Sequence, residues 1–231
     1  MSKCILVVLG GDVNILQLKE ICGKTEDLMV IAADRGLEAL DEAGICPDII
    51  MGDYDSVRKS ILDKYRDRKM ITFDSVKDFT DGEAAVIRAI EETGRDSEDD
   101  CKIVILGATG NRPDHTMANL SLLKKCCDEA RNAVVLTGNS RIRLFKGPAD
   151  IDFYKNREKY DYISLLPLGD SVSGVNIKGF KYDASDLCLV QGSSRGISNE
   201  LSDEVGRISF LSGYLMIVET VDQDNDYRKN G

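Results

Sequence analysis

The chain has 231 residues, 42% of them hydrophobic and 30% charged, with a net charge of −10. That length can bury a substantial core, in one domain or in two small ones. The acidic balance argues against nucleic acid and anionic membrane surfaces as partners, and a polyphosphate ligand would need metal ions to bridge like charges.

The first part of the chain alternates in character. CILVVLG (4–10) is a continuous apolar run that predicts a buried strand; it is too short for a signal peptide and ends in a Gly-Gly turn. NILQLKEIC (14–22) has helical spacing, LMVIAAD (28–34) reads as a strand and RGLEALDEAG (35–44) as a helix stopped by Gly44. DIIMGD (48–53) is a short strand, SVRKSILDKY (56–65) a helix, KMITFD (69–74) a strand and TDGEAAVIRAIEETG (80–94) a strong helix. KIVILGA (102–108), HTMANLSLLKKCC (115–127) and NAVVLTG (132–138) continue the series as strand, helix and strand. Apolar runs alternating with helices predict an α/β domain: a mainly parallel sheet with helices on both faces. RDSEDD (95–100) reads as a solvated loop.

Beyond residue 139 the helical periodicity stops. IRLF (142–145), DYISLLPL (161–168), VNIKGFKY (175–182), GRISFL (206–211) and GYLMIVET (213–220) read as strands of an antiparallel β domain, a sandwich or barrel. GPADID breaks the pattern near the junction, giving an expected division into residues 1–145 and 146–231. The tail DQDNDYRKNG is expected to fray. The seven cysteines are odd in number and form no C-x-x-C pair, which fits reduced thiols in a cytoplasmic protein. No run approaches transmembrane length.

In an open α/β sheet, ligands bind beyond the carboxyl ends of the strands. Asp34 ends the second strand, Asp53 and Asp55 follow the third, Asp78 and Asp81 the fourth, and Arg112, Asp114 and His115 the fifth. Each aspartate alone is as well read as a turn or cap residue. Ser56 is placed to cap the 56–65 helix, and Thr80 with Glu83 has capping-box spacing. Four consecutive strand exits with carboxylates on one rim point further, because such charges repel unless a cation lies between them. Magnesium suits hard oxygen ligands shared with phosphates; calcium accepts the same donors, and one histidine is too few for zinc. Arg112 can pair with a phosphate and Asp114 can complete a metal site. His115 can donate to a phosphate or orient Asp114, or be a helix-start residue bonded to a carbonyl. There is no P-loop and no G-x-G-x-x-G, so neither common phosphate loop applies.

AADRG (32–36), PDIIMGDYDS (47–56), KDFTDGEAA (77–85) and GATGNRPDHTMANLSLL (107–123) resemble the motifs of thiamine pyrophosphokinases in order and spacing, and GISNE (196–200) resembles that family's later Ser-Asn motif. The resemblance runs from about residue 5 to about residue 220. It implies an α/β domain and a β-sandwich in a homodimer, with thiamine at the dimer interface. It implies Mg²⁺-dependent transfer of pyrophosphate from ATP to the hydroxyl of thiamine, giving thiamine diphosphate and AMP. By motif, Asp53, Asp55, Asp78, Asp81 and Asp114 become the metal and polyphosphate site. Asp34, Lys77, Thr80, Arg112 and His115 become nucleotide contacts or supports, and Ser198 and Asn199 thiamine contacts. Arg112 and Lys77 are expected to neutralise developing charge, and Asp55 or Asp81 to accept the hydroxyl proton. The chain departs from the family at Arg35 and Asn111, where glycine is frequent, and at Tyr54, where phenylalanine is. Competing readings are a pyrophosphokinase for a pterin alcohol, a Mg²⁺-dependent phosphohydrolase and a nucleotide sensor without turnover.

Overall fold

The computed structural model describes residues 3–74, 78–94, 101–157 and 159–222. Lys77, the RDSEDD stretch and the tail from residue 223 onward lie outside the described residues. The chain divides into two compact units, the first ending at Gly138 and the second beginning at Asn139.

In chain order the first unit holds β1 (Cys4–Val8), α1 (Ile15–Lys24), β2 (Leu28–Ala33), α2 (Gly36–Ala43), β3 (Ile49–Gly52), α3 (Lys59–Leu62), β4 (Lys69–Thr72), α4 (Asp81–Glu92), β5 (Lys102–Leu106), α5 (Pro113–Asp128) and β6 (Asn132–Leu136). Its strands run parallel in the order β4-β3-β2-β1-β5-β6. Successive side chains of a strand point to opposite faces. On one face Leu6 and Val8 of β1 join Leu18 of α1, Leu37 and Leu40 of α2 and Ile61 of α3 in one core cluster. Ile5 and Val7, of the other parity, are equally buried. There α4 packs on β1, β2 and β3, and α5 on β6. Burial on both faces is why β1 and β5 read as unbroken apolar runs.

The helix starts follow their side-chain chemistry. Asn14 caps α1 by accepting the Gln17 N–H at 3.1 Å, and Thr80 caps α4 by accepting the Glu83 N–H at 3.1 Å. Glu83 itself pairs with Lys125 at 3.1 Å rather than reaching back, so only half of the expected capping box forms. The helix expected over 56–65 is shorter: α3 is followed by a 3-10 turn, Asp63–Tyr65. Ser56 does not cap it, and its hydroxyl has another partner, described below.

The second unit holds β7 (Ser140–Lys146), β8 (Ala149–Tyr154), β9 (Tyr162–Pro167), β10 (Ser171–Lys178), β11 (Ala184–Val190), β12 (Val205–Phe210) and β13 (Tyr214–Thr220). β7, β13 and β9 pair antiparallel in that order, and a second antiparallel sheet runs β11-β10-β12-β8. Phe153, Val175, Ile208 and Phe210 of one sheet share a core with Ile163, Leu165, Leu215 and Ile217 of the other, as a β-sandwich requires. β7 pairs with β13 along its whole length, so it belongs to this unit and the division falls ahead of the expected 145/146 boundary. GPADID is not a break: it runs into β8, where Ile151 and Phe153 point inward between exposed Asp150 and Asp152. The carboxylate of Glu219 on β13 is fully buried, held by Arg141 and by Arg143 at 3.1 Å. No helix among the described residues is long and apolar enough to cross a membrane.

Candidate active site

In the first unit the strand order reverses between β1 and β5, so the exits of these neighbours flank a crevice, where ligands of doubly wound sheets bind. Backbone contacts fix its floor. The Gly11 N–H donates to the Gly107 carbonyl at 2.9 Å, and the Asp12 N–H to the Thr109 carbonyl at 2.6 Å. A Cβ on Gly11 would collide with the Thr109 carbonyl oxygen, and one on Gly36 with that of Val8. Glycine therefore lets the β1 turn, the β5 loop and the start of α2 meet backbone to backbone. Above them opens a cavity of about 490 Å³.

Asp34, Asp53, Asp55 and Asp81 all line this cavity. Asp34, Asp53 and Asp55 each offer a carboxylate oxygen within 4.8 Å of the others. Backbone geometry brings them together. Asp34 and Tyr54 adopt left-handed conformations, φ 48° and 63°, a strained choice for non-glycine residues that recurs at functional sites. Gly52 lies beneath: a Cβ there would stand 3.5 Å from the Asp34 Cα and 3.6 Å from the Asp81 carboxyl carbon. Ser56 Oγ donates to Asp34 Oδ2 at 2.6 Å, while Asp34 Oδ1 is buried with no hydrogen-bond partner. The Asp53 charge, with further contributions from Asp34 and Asp81, holds the Asp55 carboxyl above the usual carboxylate range. Such a group is poised for a hard cation.

The remaining expected residues divide. Thr80, Arg112 and His115 line the cavity; among the described lining residues the arginines are Arg112 and Arg35. Asp78 is exposed and lies outside the lining, as does Asp114. Asp114 instead grips Arg112, accepting from Nε at 3.2 Å and Nη2 at 2.5 Å. Arg112 and the His115 backbone N–H hold the Asp114 carboxyl down at about 2. Asp114 is thus a partner of Arg112, apart from the three-carboxylate group.

In the second unit Ser198 is exposed and left-handed, φ 56°, and its N–H donates to Ser164 Oγ at 2.9 Å. Asn199 is buried and fully engaged with backbone. Its Oδ1 accepts from the Tyr182 and Glu200 N–H groups, each at 3.0 Å, and its Nδ2 donates to the Tyr182 carbonyl at 2.9 Å.

The sequence model of the thiamin pyrophosphokinase catalytic domain matches residues 24–136, and that of the thiamin pyrophosphokinase vitamin B1 binding domain matches residues 149–215. The thiamine pyrophosphokinase of Bacillus subtilis (strain 168) is 31% identical over 225 residues, covering 95% of this chain and all of that one. The chain belongs to the thiamin pyrophosphokinase family. The crystal structure of the thiamine pyrophosphokinase from Bacillus subtilis superposes with a TM-score of 0.82 at 29% identity, covering 95% of this chain and 100% of the other. That of the thiamin pyrophosphokinase from Geobacillus thermodenitrificans gives 0.79 at 31%, covering 95% and 98%.

The family's catalytic-domain match spans every carboxylate of the cavity. The site also has members that sequence reasoning placed differently. Asp34, expected among nucleotide contacts, stands in the carboxylate group itself. Its place at a strand exit was a usable signal; its left-handed backbone left none. Ser56 and Asn119 were not expected as site residues. Asn119 lines the cavity from α5 and donates to the Ala108 carbonyl at 3.0 Å, tying α5 to the β5 loop.

Proposed function

We propose that the chain converts thiamine to thiamine diphosphate by moving the pyrophosphate of ATP onto the thiamine hydroxyl, with AMP as second product and Mg²⁺ as the metal. The observation that carries this reading is the convergence of Asp34, Asp53 and Asp55 in the cavity beyond the carboxyl ends of the parallel strands of the matched catalytic domain. An all-carboxylate donor set, with one buried oxygen lacking a partner, suits a hard divalent cation. When bound, the ion supplies charge neutralisation for a polyphosphate.

The chain's own residues position the reactants. Asp34, Asp53 and Asp55 hold the cation, with Asp81 beside them at the same cavity. The glycine turns after β1 and β5 admit phosphate close to backbone. Arg112, oriented by Asp114, presents its remaining N–H groups to the nucleotide, and Thr80 and His115 line the same space. The thiamine hydroxyl attacks the β-phosphorus in line, and its proton passes to Asp55 or Asp81. Such chemistry depends mainly on positioning and charge neutralisation. Ser198 offers its hydroxyl to thiamine, and Asn199 holds the turn that presents it. The active form is a homodimer, acting in the cytoplasm, where the seven free cysteines stay reduced.

A coupled AMP-release assay tests the reading. AMP should form only when ATP, Mg²⁺ and thiamine are all present. Nucleotide breakdown without thiamine would point to a hydrolase, and turnover only with a pterin alcohol to a different acceptor.

A further inference from the structure

The cavity sets two kinds of charge side by side. Four aspartates line it, and a metal ion answers them. A polyphosphate tail brings more negative charge and needs cations of its own. Two arginines line the cavity among the described residues. Arg112 already shares two of its N–H groups with the Asp114 carboxylate, so its charge is largely balanced within the chain. Arg35 is different. Its side chain has no hydrogen bond and no ion pair among the described residues. Glu38, one turn further on in α2, feels the Arg35 charge, but its carboxylate is bonded by Arg58 at 3.0 Å and not by Arg35. The charges acting on the Asp55 carboxyl are all those of other aspartates, so Arg35 does not neutralise that group. The backbone fixes where Arg35 stands: a Cβ on Gly10 would lie 3.1 Å from the Arg35 Cβ. Arg35 therefore rises beside the glycine turn after β1, where phosphate can approach backbone.

We infer that Arg35 is a phosphate-contacting residue that reads the length of the nucleotide's polyphosphate tail, so that the chain favours a triphosphate over a monophosphate. The inference rests on the pyrophosphokinase reading of the cavity and goes beyond it by naming the group that distinguishes substrate ATP from product AMP. A planar guanidinium can clasp two phosphate oxygens at once, which a lysine ammonium cannot reproduce. An unpartnered, exposed arginine is also free to reorient onto an incoming anion without breaking an existing pair.

The test measures binding of AMP, ADP and a non-hydrolysable ATP analogue to the full chain with Mg²⁺ by calorimetry, for the native protein, Arg35→Ala and Arg35→Lys. Arg35 is exposed and makes no side-chain bond that folding depends on, and matched circular dichroism and melting curves verify that each variant is folded. In Arg35→Ala, AMP affinity should stay within about twofold while affinity for the ATP analogue falls roughly tenfold to a hundredfold. Arg35→Lys should lie between. In turnover, the ATP KM should rise with the thiamine KM unchanged. Equal losses for AMP and the ATP analogue, or no loss for either, would overturn the inference while leaving the pyrophosphokinase reading intact. Failure of the native protein itself to bind the ATP analogue would overturn both.

Discussion

The hydroxyl of Ser56 donates to Asp34 Oδ2 at 2.6 Å, across twenty-two positions of sequence, and leaves Asp34 Oδ1 buried and unpartnered. One side chain thereby holds the carboxylate in a single orientation with one oxygen reserved. Partners of this kind around metal ligands are typically worth about 10–100-fold in metal affinity. Ser56→Ala should weaken Mn²⁺ binding, followed by electron paramagnetic resonance, by about tenfold or more on that scale, and Ser56→Thr should restore most of it. Unchanged Mn²⁺ affinity in Ser56→Ala would show that Asp34 is held by other means.

Mutual repulsion of Asp34, Asp53 and Asp55 costs stability whenever no cation is bound. Asp53→Asn removes one charge of the group. Its melting temperature without metal should equal or exceed that of the native protein, and the rise produced by Mg²⁺ in the native protein should shrink or vanish. A variant that melts lower and still gains fully from Mg²⁺ would contradict this account of the cluster.

Ser198 and Asn199 are adjacent but should respond oppositely. Asn199→Ala removes the side-chain partner of three part-buried backbone groups, with an expected loss of about 1–3 kcal/mol in chemical unfolding. Ser198→Ala removes only an exposed hydroxyl, so stability should hold while the thiamine KM rises. Loss of thiamine affinity in Asn199→Ala at full stability would reverse the assignment.

Burial pushes the Cys126 thiol up to about 12, whereas Cys46 and Cys188 are exposed. A thiol reagent at pH 8 should label Cys46 and Cys188 first and reach Cys126 only on unfolding. With a folded pKa above the unfolded value of about 8.5, Cys126 contributes stability that is complete below that value and declines as pH rises toward 12. Cys126→Ala should flatten the alkaline limb of the stability profile, and an unchanged limb would exclude this contribution.

The parallel sheet was legible because both of its faces are buried. CILVV and KIVIL carry no polar alternation, and glycine turns end them cleanly. β8 and β11 were not legible: β8 sets inward Ile151 and Phe153 between outward Asp150 and Asp152, and β11 buries Leu187 and Leu189 among exposed Ser185, Asp186, Cys188 and Val190, so neither shows a clean apolar period. In the site, the aspartate rim followed from strand exits alone. What did not follow was which aspartates converge. Asp34 joins Asp53 and Asp55 through left-handed backbone at Asp34 and Tyr54; aspartate enters that region more readily than most residues, but still as a minority, and tyrosine gives no such signal. Asp114 falls to Arg112, a local pairing two residues apart that competes with any role at the metal.

The most direct test of the central claim follows the β-phosphorus. ATP labelled at the β-phosphate is incubated with the native protein, Mg²⁺ and thiamine, and the products are separated. Label is expected in thiamine diphosphate, with unlabelled AMP in equal amount, neither forming without thiamine and both lost in Asp53→Ala. Labelled ADP, label released as inorganic phosphate or pyrophosphate, or full transfer by Asp53→Ala would contradict the claim.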